Sequence, residues 1–159
     1  AFVLWWRLLD RTSPEEARPL RLAMERRLAE SVLRARARVD SPDAPERQRA
    51  LTFLGTALLL DAQSKAARGA HLGAASSARQ GHQALSEVLA AHLESADALF
   101  AMGVYNYFAD NMPVFVKGLR FFLLIPGGDE PVGLAQLETA AQRSRIFGTE
   151  SLLLLGHMA

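Results

Sequence analysis

Apolar residues recur along this chain at helical spacing, and one short phrase returns three times: Leu51-x-x-Leu54-Gly55, Leu99-x-x-Met102-Gly103 and Leu152-x-x-Leu155-Gly156. Its glycines stand 48 and 53 residues apart. A second phrase follows the first two copies. Gly81-x-x-x-Leu85-x-x-Val88 and Gly133-x-x-x-Leu137-x-x-Ala140 place small, large and small residues at i, i+4 and i+7, which lie on one face of a helix. The pattern predicts pairs of helices. A glycine on the first removes a side chain where the second must come close, and the small residues of the second receive it. Glycine inside a helix costs about 1 kcal/mol relative to alanine, so glycines in register call for a packing reason. Self-similarity at a period of about 20 to 50 residues marks stacked repeats that bury their apolar faces only against one another. The expected fold is all-α, built from antiparallel helix hairpins.

The punctuation between these phrases predicts about seven helices and no strand. Ser13-Pro14-Glu15-Glu16 reads as a capping box with proline at the first helical position, opening a helix that runs to about Val39. Pro19 predicts either a later start or a kink. Asp43-Ala44-Pro45-Glu46 repeats the capping logic ahead of the helix carrying Leu51 to Leu60, which Gly69 can end. The third helix covers about Leu72 to Leu93, and Ser95 caps a fourth through Asp97, Phe100 and Tyr107 until Asp110-Asn111-Met112-Pro113 breaks it. Asp129 caps the helix containing Gly133 to Ala140, and Thr149 caps the last.

On these residues the chain resembles the tetratricopeptide-repeat family. Leu51, Leu54, Gly55 and Leu58 match the large, Leu, Gly and Tyr positions of that family's first helix, as do Leu99, Met102, Gly103 and Asn106, and then Leu152, Leu155 and Gly156. Gly81/Leu85/Val88 and Gly133/Leu137/Ala140 match the second helix. The likeness covers roughly residues 46 to 159, with two departures: the periods exceed the family's 34 residues, and Asn106 stands where tyrosine is usual. A looser likeness, through the turn Pro126-Gly127-Gly128-Asp129, is to long-repeat bacterial proteins that are often exported. The resemblance implies a right-handed α-α superhelix that grips a peptide or protein. It leaves a cytoplasmic or an exported home open.

Composition fits one helical-repeat domain over 1–159, with an N-terminal helical region at 1–45 and repeat units from 46. At 159 residues and 50% hydrophobic content there is material for a sizeable core. The net charge of +1 offers no field for nucleic acid. Residues 1 to 49 carry 11 basic and 8 acidic residues, a balance of +3, which a solvated helical face explains. Arginine outnumbers lysine 16 to 2, the mark of a GC-rich genome rather than of a function. Cysteine is absent, excluding disulfides and thiolate metal sites. No run reaches the roughly 18 consecutive apolar residues of a membrane span, and the apolar start Ala1 to Trp6 is too short for a signal-peptide core. The absent initial Met and the apolar phrase at the far end read as an excised fragment.

Residues 112 to 126 form an apolar insert between the two helices of the second unit. Ten of these fifteen are Met, Val, Leu, Ile or Phe, and Lys117 and Arg120 are one turn apart. Three readings stay open: an extra helix on the core, an interfacial helix whose basic residues snorkel toward anionic lipid, or a partner contact. In the last two, Phe115, Lys117, Arg120, Phe121 and Phe122 make the contact.

Enzyme signatures are missing: there is no G-x-S-x-G, no P-loop, no G-x-G-x-x-G and no H-E-x-x-H. His71, His82, His92 and His157 lack the i, i+3 or i+4 pairing that would hold a metal. The acidic pair Asp129-Glu130 suits a helix start. No catalytic residue, cofactor or metal is expected. The first expectation is therefore a noncatalytic adaptor whose groove carries Arg49, Thr52 and Thr56 in one unit, Asp97, Phe100 and Tyr107 in the next, and Glu150 and His157 in the last. An aromatic patch flanked by charges suits a peptide with an apolar anchor. Phe100 and Tyr107 filling core space is the equal alternative. The second expectation is a peripheral membrane or envelope-assembly component using residues 112–126.

Overall fold

The computed structural model describes residues 13–111 and 126–158, all of whose regular structure is helical. Its elements are α1 (Pro14–Arg36), α2 (Ala44–Ala67), α3 (His71–Ala91), α4 (Ala96–Asp110), α5 (Glu130–Arg143) and α6 (Gly148–Met158). Six helices thus stand among the described residues, close to the seven expected from sequence.

Local chemistry sets their limits. The backbone carbonyl of Ser13 accepts the first helical bond of α1, from Ala17 N at 2.8 Å, with Pro14 as the opening residue. The helix starts at Pro14 and continues through Pro19, so the later start does not occur, and α1 ends at Arg36 rather than near Val39. Asp43 caps α2 by accepting from Glu46 N at 3.1 Å, and Asp129 caps α5 by accepting from Val132 N at 3.0 Å. Each cap satisfies one of the amide donors that a helix start leaves unpaired. Gly69 adopts φ +76°, a left-handed conformation that lets the chain reverse after α2 at little cost. Ser95 precedes α4 without a side-chain capping bond.

Packing follows the repeated phrases. α2 pairs with α3 and α4 with α5, while α1 covers α2 and α6 packs on α5. A stripe of Ala17, Met24, Leu28 and Ala35 buries α1 against the rest, leaving most of its other residues exposed. α2 is buried on nearly every side, with Leu51 and the run Ala57 to Leu60 all in the core, because three neighbours surround it. Leu85 and Leu137, the large residues of the second phrase, are fully buried. Each contributes about 1.5 to 3 kcal/mol of burial.

Both hairpins cross at glycines. A Cβ placed on Gly55 would lie 2.9 Å from the Gly81 carbonyl oxygen, and one on Gly81 would lie 2.9 Å from the Gly55 carbonyl oxygen. Gly103 and Gly133 stand in the same reciprocal relation, again at 2.9 Å each way. The two backbones touch, and no side chain fits between them. The second hairpin is shorter in its helices and longer in its connection. Its glycines are 30 residues apart against 26 in the first, and the insert accounts for the difference.

Most of the insert, 112 to 125, lies outside the described residues, so the expectations for Phe115, Lys117, Arg120, Phe121 and Phe122 do too. Its flanks are anchored. The Tyr105 hydroxyl donates to the Pro126 carbonyl at 2.6 Å, and Asn111 Nδ2 donates to Glu130 Oε2 at 3.0 Å. Gly128 presses on the end of α4, where a Cβ would meet the Asn106 carbonyl and, at 2.6 Å, the Asp110 amide.

Candidate functional site

The first helices of successive units begin side by side, and between the starts of α2 and α4 lies an open hollow of about 210 Å³. Pro45, Gln48, Arg49, Thr52 and Phe53 line it from α2, Ser95 and Asp97 from the start of α4, and Ile146 from the turn before α6. Three groove residues expected from sequence, Arg49, Thr52 and Asp97, therefore meet in one place. Phe53 is 43% exposed and Ile146 is 47% exposed, giving the hollow two apolar walls that sequence reasoning did not assign. Phe53 sits inside the first Leu-x-x-Leu-Gly phrase, where an aromatic at a variable position is the signal that could have found it.

Each of the three plays a different part. Arg49 is exposed at the rim. Thr52 is buried, and its hydroxyl donates back to the Gln48 carbonyl at 2.9 Å, so the hollow meets mainly its apolar side. Asp97 is engaged by the chain itself. One carboxylate oxygen accepts from the Ser144 hydroxyl and from Ile146 N at 3.3 Å, while Ser144 Oγ accepts from Phe147 N at 2.8 Å. This turn opens α6 at Gly148. Thr149 lies within the last helix rather than capping it, and Ser144 holds the turn that precedes it.

The remaining expected residues are dispersed. Thr56 and Phe100 are buried and line a small void of about 20 Å³ together with Leu59, Leu60, Gln63 and Leu154. Phe100 is fully buried and stacks on Phe147, ring centroids 4.7 Å apart and planes 16° from parallel. It fills core space, and a partner could reach it only by displacing the turn that carries Phe147. The Gln63 Oε1 atom is buried without a hydrogen-bond partner. Tyr107 is half-buried against Phe108, Glu150 is half-buried and His157 is exposed, all away from the hollow.

A larger hollow of about 370 Å³ opens between α1, α2 and α3. On its wall Lys65 Nζ donates to Asp61 Oδ2 at 2.5 Å and to Ser77 Oγ at 2.9 Å, while the Ser77 hydroxyl donates to Asp61 at 2.6 Å. A serine beside a lysine invites comparison with a nucleophile and its base. Here the lysine is a donor in both contacts and the serine proton is directed to the carboxylate, an arrangement that ties α2 to α3. Arg68 and Glu25, 3.2 Å apart, and Arg36 and Gln80, 2.8 Å apart, fasten α1 to α2 and α3 in the same region. Pairs this exposed contribute about 0 to 1 kcal/mol each.

No described helix is long and apolar enough to cross a membrane, and no three His, Asp or Glu side chains among the described residues group as metal ligands. No family model matches this chain, and neither a curated protein nor a solved structure matches it.

Proposed function

We propose that this protein is a noncatalytic helical-repeat scaffold of tetratricopeptide-like type, binding a peptide or protein partner in the hollow between α2 and α4. The observation that supports this reading is the juxtaposition of Phe53 and Ile146, two exposed apolar side chains, with the exposed Arg49 at the rim. A segment with one large apolar side chain and a nearby carboxylate complements that wall. The apolar anchor supplies most of the affinity, and the charge at the rim sets preference and encounter rate.

Selection of displayed random peptides on the immobilised protein tests the reading. Enriched sequences should pair an aromatic or aliphatic anchor with Asp or Glu, and both Phe53→Ser and Arg49→Glu should weaken their binding. Enriched peptides that bind these variants as well as the parent, or no enrichment at all, would set the reading aside.

The second reading, a peripheral membrane or envelope-assembly component, draws on the composition of residues 112–126, whose ten apolar side chains and two basic ones suit an anionic lipid surface.

A further inference from the structure

The hollow between α1, α2 and α3, about 370 Å³, is of a size that small molecules fill between packed helices. Its floor is aliphatic: Leu28 and Leu58 are 2% and 5% exposed, and Val32 is half-buried beside them. One wall is the trio of Asp61, Lys65 and Ser77, with the Ser77 side chain buried. The bonding capacity of that wall is not used up. Lys65 Nζ spends two of its three N–H groups, on Asp61 Oδ2 and on Ser77 Oγ, and Asp61 Oδ1 accepts from no described residue. The Ser77 hydroxyl shows what suits the open pair, since it accepts from the lysine and donates to the carboxylate. A second hydroxyl can do the same with the remaining N–H and Oδ1.

The charges around the hollow do not cancel. Lys65 is matched by Asp61, and Glu25 is matched by Arg68 at 3.2 Å. Arg36, at the mouth, has a neutral partner among the described residues, Gln80 Oε1 at 2.8 Å. A carboxylate offers that guanidinium a charge-assisted, bidentate bond, which is stronger than the neutral one. Gln80 holds Arg36 and Ser77 holds Asp61, and one turn of α3, roughly 5 Å, separates these two residues. A carboxylate and a hydroxyl on neighbouring carbons can therefore reach both poles. We propose that this hollow binds a small aliphatic hydroxycarboxylate, its carboxylate on Arg36, its hydroxyl between Lys65 and Asp61, and its alkyl body on Leu28, Val32 and Leu58. The site is separate from the hollow between α2 and α4, and the proposal stands or falls independently of that reading.

The probe is α-hydroxyisocaproate, titrated against the 159-residue protein by saturation-transfer NMR. The expected result is saturable binding with a Kd of about 1 mM or tighter, the range open to a ligand of this size. Three relatives each lack one feature: isocaproate the hydroxyl, the corresponding vicinal diol the carboxylate, and lactate the branched body. Each should bind about tenfold more weakly or worse. In the protein, Arg36→Gln should weaken α-hydroxyisocaproate about tenfold or more, and Ala29→Trp, which fills the hollow from its rim, should abolish binding. Arg36 and Ala29 are both exposed, so the melting temperature should stay near that of the parent and a loss of binding is not a loss of fold. No saturation in the stated range would overturn the proposal. So would isocaproate or the diol binding as tightly as the hydroxycarboxylate, or parent-like binding by Ala29→Trp, which would place the ligand elsewhere. Should Arg36→Gln lower the melting temperature, the ligand series and Ala29→Trp decide the matter without it.

Discussion

Gly103 and Gly133 face each other across the α4–α5 crossing so closely that a methyl group on either would lie 2.9 Å from the other's carbonyl oxygen. On the α5 side the same hypothetical methyl of Gly103 also meets Leu137 at 3.0 Å and Gln136 at 3.1 Å. The contact leaves room for hydrogen alone. Gly103→Leu should therefore cost about 1 to 3 kcal/mol or more by overpacking, measured by denaturant unfolding. Gly156→Leu is the control, because an open helical glycine gains propensity on substitution. A raised melting temperature for Gly103→Leu would refute the crossing.

Phe100 separates a core residue from a groove residue. Its ring is fully buried on Phe147, so Phe100→Ala should destabilise the protein by about 3 to 5 kcal/mol. Arg49→Glu, at an exposed rim position, should leave the unfolding curve unmoved while weakening partner binding. Thermal unfolding of the two variants distinguishes the roles. A Phe100→Ala protein as stable as the parent would return the ring to the list of groove contacts.

His82 links stability to pH. It lies half-buried on α3, its ring 5.0 Å from that of Tyr105 on α4 and its Nδ1 3.3 Å from the Ser86 hydroxyl. Burial disfavours the imidazolium and lowers its pKa below the ordinary 6.5. The unfolded chain therefore takes up this proton at a higher pH than the folded one. The contribution is fully present above pH 6.5 and is lost as pH falls below that value toward the folded pKa. Melting temperature should fall over that window, and His82→Gln should flatten the slope. An unchanged slope in the variant would assign the acid sensitivity to other groups.

The repeat was legible because its cause is local. A glycine one step after a large residue, answered by Gly-x-x-x-Leu, states the crossing in the sequence itself, and Asp43 and Asp129 state their caps by position. The hollow was legible only in part. Arg49, Thr52 and Asp97 follow from helix register, but register does not say which side of α4 a neighbour will cover. The ring of Phe100 was hidden by Phe147, a residue 47 positions later in a turn held by Ser144 and Asp97. Phe53 and Ile146 were overlooked for the converse reason. Both are apolar residues left exposed by what does not pack on them, and no spacing rule encodes that.

The two functional readings diverge at residues 121 and 122. If the insert packs on the helices, burial of each phenylalanine stabilises the fold by roughly 1.5 to 3 kcal/mol. The double variant Phe121→Ser/Phe122→Ser should then lower the unfolding midpoint, and the parent should bind anionic liposomes no better than background in a flotation assay. An interfacial insert predicts the opposite pair of results. Apolar side chains seated in lipid add little to the stability of the free protein, while Lys117 and Arg120 draw it to negative headgroups with a salt-sensitive attraction. A double variant that keeps its stability and abolishes strong liposome binding by the parent would replace the scaffold reading with the membrane one.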